Sequence, residues 1–118
     1  MQPEERRDLG YLWDMREAAQ DCIDFVKDVT YPHFADNKMM SAAVERRLEI
    51  LGEAAGRVSH SFQSEDADIP WKEIKGLRLV LAHRYDNLDL QQLWRAATIH
   101  APALVARLNI LLGGMGEN

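Results

Sequence analysis

The chain has 118 residues, 47% of them apolar and 28% charged, which suits one soluble globular domain and leaves too little length for two. A formal charge of -5 argues against a protein that holds nucleic acid by bulk electrostatics, so any RNA site must be a local basic patch. The single cysteine, Cys22, permits no internal disulfide and falls among apolar helix positions, which reads as reduced core packing in a cytosolic protein.

Four segments with helical spacing follow one another, and no credible strand interrupts them. Leu12, Met15, Ala19, Cys22, Val26 and Val29 recur three or four apart and line one face of a first helix, which Thr30-Tyr31-Pro32 ends. Val44, Leu48, Leu51, Ala55, Val58 and Phe62 repeat the pattern in a second helix, with Asp36 or Asn37 available as its N-cap. The polar stretch Gln63-Ser64-Glu65-Asp66-Ala67-Asp68 reads as a loop. Ile69-Pro70-Trp71 then opens a third, shorter helix, because proline is tolerated in the first turn, and that helix should run to about His83. Asp86-Asn87 supplies turn residues, and Asp89 with Gln92 three positions later resembles a capping box at the start of the fourth helix. Leu93, Ala97, Ala101, Leu104, Leu108 and Leu111 carry its apolar face. Pro102 should kink this helix by removing the hydrogen bond to Thr98, and Gly113-Gly114 should stop it.

The expected architecture is all-α, an up-and-down bundle of four main helices forming one domain over residues 1–118. No run of roughly 18 apolar residues is present, and Met-Gln-Pro-Glu-Glu-Arg-Arg-Asp at the N-terminus lacks the apolar stretch of a signal peptide. A cytoplasmic protein without a membrane partner is expected. Amphipathic helices in a domain of this size often complete their core by dimerising.

The segment Gly76-Leu77-Arg78-Leu79-Val80-Leu81-Ala82-His83-Arg84-Tyr85 carries the chemistry. Arginine offers a fixed positive fork to phosphate, histidine exchanges a proton near neutral pH, and the tyrosine hydroxyl can bond or be modified. An arginine and a histidine five apart are, on their own, common on solvated helix faces. Here the flanking words count as well. Ala43-Val44-Glu45-Arg46-Arg47-Leu48-Glu49-Ile50-Leu51-Gly52-Glu53-Ala54-Ala55, Ile69-Pro70-Trp71-Lys72-Glu73-Ile74-Lys75-Gly76-Leu77-Arg78, Asp89-Leu90 with Trp94, and Pro102 occur in the order of the HepT-like proteins of the HEPN superfamily, which the chain resembles.

That resemblance implies a homodimer whose two motifs face one cleft and act as a metal-independent endoribonuclease. It implies a toxin encoded beside an MNT-type nucleotidyltransferase antitoxin, with RNA as substrate. Arg78 and His83 would be catalytic, and Tyr85 would be the residue to which the antitoxin adds AMP. Residues five apart on an ideal helix differ by about 140° in direction, so one chain cannot aim both Arg78 and His83 at one phosphorus unless the helix ends or distorts. A second chain would supply the missing groups. Lys72, Lys75 and Arg84 would extend the positive patch, and Glu53 would orient Arg78. Leu79 departs from the polar residue, commonly asparagine, that the family often has after the motif arginine, and Ala82 replaces a larger aliphatic. Leu79 keeps a second reading open, a catalytically weak nucleotide-binding or docking subunit of a minimal nucleotidyltransferase.

No cofactor or metal is expected. Glu49 and Glu53 lie one turn apart, but no histidine follows either by three residues to complete a di-metal pattern. His33 next to proline, His60 at a helix end and His100 on the last helix show no ligand spacing. Arg46, Arg47 and Arg57 are as suited to pairing with Glu49 and Glu53 as to touching RNA.

Overall fold

The computed structural model describes residues 2–82 and 89–116, with side chains for these apart from residues 78–82, 115 and 116. It is all-α, without a strand among the described residues. Helix α1, Pro3–Phe25, starts with proline in its first turn and places Glu4 and Glu5 at its positive end. It stops four residues before Val29, at a turn in which Asp28 takes a φ of 59°, a conformation that aspartate tolerates. Thr30-Tyr31-Pro32 does more than end a helix. Thr30 accepts the His33 N–H at 3.4 Å and caps a short helix α2, Tyr31–Asp36, with Pro32 in its first turn, so His33 is helical.

Helix α3, Lys38–Arg57, is capped by Asn37, whose Oδ1 accepts the Met40 N–H at 3.0 Å. The apolar pattern from Val44 to Phe62 crosses a break, because the chain is extended at Val58 before Ser59 caps α4, His60–Glu65. Val58 is buried and Phe62 packs against the core, so the spacing persists across a joint it does not reveal. Asp8 of α1 fixes that joint: its carboxylate accepts the Ser59 N–H at 2.8 Å and the Ser59 hydroxyl at 2.6 Å.

Helix α5, Trp71–Ala82, begins directly after Pro70. Asp89 caps α6, Leu90–Arg95, by accepting the Gln91 and Gln92 N–H groups. A π turn, Ala96–His100, joins α6 to α7, Ala101–Gly116. The Ala101 N–H bonds to the Ala96 carbonyl, so the backbone ladder widens just before Pro102, which has no N–H to give. Gly113-Gly114 does not stop α7. Glycine ends a helix by taking the left-handed conformation, and no described glycine has positive φ.

Helices α1 and α3 pack along their lengths, α7 covers α1, and α5 lies on α3. Leu12, Met15, Cys22, Phe34, Val44, Ile69 and Leu108 are the large side chains at the centre of the core. Cys22 donates weakly to the Val44 carbonyl, and burial, the leading cause, pushes its thiol up to about 12. The helical run Leu90–Gly114 is long and apolar enough, by length and composition, to cross a membrane. In the bundle its Leu93, Ala97, Ala101, Leu104, Leu108 and Leu112 form one wall of the core.

Candidate nuclease site

Helix α5 delivers the motif. It is regular helix from Trp71 to Ala82, so Arg78 sits in its second half, and the chain resumes at the Asp89 cap of α6. The backbone at Arg78, Leu79 and Ala82 is described, whereas His83, Arg84 and Tyr85 lie outside the described residues. Helix α6, which follows, is anchored by aromatic packing. Trp94 of α6 has its ring 5.2 Å from Phe34 and 5.9 Å, edge-on, from Tyr31, both of α2. The unforeseen helix α2 therefore serves to seat the segment that follows the motif.

The residues expected to surround Arg78 divide into different roles. Lys72 is exposed. Lys75 is half-buried and donates to Gln63 Oε1 at 2.9 Å, while the Gln63 amide donates to the Val58 carbonyl at 2.8 Å. Lys75 thus ties α5 to α4. Glu53 accepts from Arg57 at 2.9 Å, and Arg46 pairs with Glu49 at 3.1 Å, both as neighbours on one helix face. Arg47 turns instead to Asp21 of α1, at 3.4 Å. Glu45 is raised above the usual carboxylate range, first by burial and then by the nearby charge of Glu49.

A second polar group holds the start of α5, and the linear sequence hides it. Asp66 follows α4 and is buried, its carboxylate accepting from Arg107 Nη2 with both oxygens at 3.1 Å. Its carbonyl accepts the Trp71 indole N–H at 2.8 Å. Asp68 lies 3.6 Å from the same guanidinium. Asp66 looked like one more residue of a polar loop. The available signal was on the other side: Arg107 is the one charged residue between Ala101 and Gly116.

Between α5 and α7 runs an apolar groove of about 190 Å³, lined by Leu48 and Leu51 of α3, Ile74 and Leu77 of α5, and Ala103 and Leu104 of α7. His100 also borders it.

Residues 15–110 match the family model described as ribonuclease HepT-like, and the chain belongs to that family. A "putative RNase" of Methanocaldococcus jannaschii is 38% identical over 107 residues, covering 90% of this chain and 98% of that protein. A protein of Thermococcus cleftensis named "probable ribonuclease HepT" is 31% identical over 106 residues, covering 90% of this chain and 96% of that one. A third relative, from M. jannaschii and named as a gamma-glutamylcyclotransferase and "putative RNase", is 30% identical over 114 residues, with 96% of this chain matching 51% of its length. No solved structure matches the chain.

Proposed function

We propose that the protein is a metal-independent endoribonuclease toxin of the cytoplasm, working as a homodimer in which two α5 motifs face one cleft. Family membership carries this reading, together with an intact Arg78, His83 and Tyr85 in the sequence. A histidine takes the proton of a ribose 2′-hydroxyl as its oxygen attacks the adjacent phosphorus, and a histidine returns a proton to the departing 5′-oxygen. The products are a 2′,3′-cyclic phosphate and a free 5′-hydroxyl. Arg78 neutralises the charge that grows on the phosphoryl oxygens, and Lys72 and Arg84 draw the phosphate backbone in.

The partner in this reading is an MNT-type nucleotidyltransferase antitoxin that adds AMP to Tyr85. The added nucleotide places bulk and negative charge in the cleft, where it excludes RNA. Cleavage of total cellular RNA by the native protein in EDTA, lost in His83→Ala and Arg78→Ala variants that remain folded by circular dichroism, is the expected result. Absence of cleavage by the native protein would move the assignment to a nucleotide-binding or docking subunit.

A further inference from the structure

Helix α5 has an unequal set of supports. One of its faces rests on α3, while toward α7 it borders the apolar groove. Its start is gripped by directional polar contacts, with Lys75 held by Gln63 and the Trp71 indole held by the Asp66 carbonyl. The carboxylate of Asp66 then fastens this start to Arg107 of α7, across the end of the groove. Arg78 lies about two turns, ~10 Å, beyond Trp71 along the same helix. A small tilt at the start is carried along that length to the backbone at Arg78.

The pair is also a poor device for stability alone. Asp66 gives up its hydration, and Arg107 Nε is buried without a hydrogen-bond partner among the described residues. Removing Asp66 from water offsets much of its attraction to a guanidinium that stays 37% exposed, and an orphaned donor adds a further cost. What the pair supplies that apolar contacts do not is direction. Both carboxylate oxygens and the carbonyl of one residue fix α4, α5 and α7 relative to each other.

With α5 carrying the motif of the RNA-cleavage reading, on which this rests, we infer that Asp66 and Arg107 are positioning residues that set the angle of α5 and so place Arg78 for transition-state contact. Neither residue touches RNA. Their loss reduces turnover without weakening substrate binding, because a charge donor displaced by about 1 Å loses on the order of 10²-fold in rate.

The test uses Arg107→Met, Arg107→Lys and the paired change Asp66→Asn with Arg107→Met, which leaves no unpaired buried carboxylate if the single change prevents folding. Steady-state RNA cleavage and amide hydrogen exchange are measured on each, with Arg78→Ala as reference. The expected result is a kcat lowered about tenfold or more at unchanged KM, exchange accelerated in Trp71–Ala82 but not in α1 or α3, and partial recovery in Arg107→Lys. Unchanged kcat with unchanged α5 exchange overturns the assignment. So does exchange accelerated equally in every helix with kcat following the folded fraction, which is the signature of a purely structural pair. If Arg78→Ala cleaves as the native protein does, the cleavage reading fails, and exchange confined or not confined to α5 still decides whether the pair holds that helix.

Discussion

The α1–α3 side of the molecule and the α5 side are held together by different physics. Along α1 and α3, long helices bury facing rows of apolar side chains, Leu12, Met15 and Cys22 against Val44, Leu48 and Ala55, and polar groups such as Asp8 serve mainly to close the joints between helices. Helix α5 instead rests one face on α3 through Trp71 and Ile74, borders an open groove, and adds polar contacts from Trp71 and Lys75 near its start. Apolar burial is strong and non-directional, whereas hydrogen bonds add little net stability but fix geometry. Damage to the first side is expected to appear as lost stability, and damage to the second as lost activity in a folded protein.

The sharpest separation should come from the motif itself. His83→Ala is expected to lower RNA cleavage by about 10²–10⁴-fold while leaving the urea midpoint nearly unchanged. A matching fall in stability would merge the two sides and break the comparison. Phe34→Ala is the converse case, since this ring is fully buried and seats Trp94. A loss of about 3–5 kcal/mol in urea unfolding is expected.

Asp8→Ala removes the acceptor of both the Ser59 N–H and hydroxyl, and should cost about 1–3 kcal/mol. Its catalytic constants should be unaltered at temperatures where the variant stays folded. Cys22 gives a pH test of the same side. Its folded thiol is pushed up to about 12 from an ordinary 9.0, so the unfolded chain loses this proton first. The thiol's contribution is therefore complete below the unfolded value and declines as pH rises from there, by about 1.4 kcal/mol per pH unit. Unfolding near pH 8 and near pH 10 should show an extra fall in the native protein that Cys22→Ala lacks; equal falls would show that the thiol is not sequestered. The smallest effect is expected for Arg57→Ala, which breaks an exposed pair with Glu53 and should change stability by less than about 1 kcal/mol.

The main helices were legible because their apolar residues recur at helical spacing over long runs, and the caps at Asn37 and Asp89 were legible because a capping side chain acts on N–H groups two or three residues away. Short elements were not. Helix α2 was hidden because Thr30-Tyr31-Pro32 serves equally as a stop and as a capped start. Helix α4 was hidden because Val58 and Phe62 keep facing the core across the joint, so periodicity ran through it unbroken. Gly113-Gly114 misled for another reason: glycine permits a left-handed end without requiring one.

Of the candidate site, the sequence by itself determined the chemistry: which residue types stand at 78, 83 and 85, that they fall within eight consecutive positions, and which family the spelling belongs to. Such information is local, because side-chain chemistry and helical phase are properties of neighbouring residues. The tertiary structure alone decided what surrounds that helix: that Lys75 is tied to Gln63, that Arg47 crosses to Asp21, and that Asp66 meets Arg107 across 41 positions of sequence. Contacts of that kind depend on how separate helices pack in space, and no periodicity along the chain encodes them.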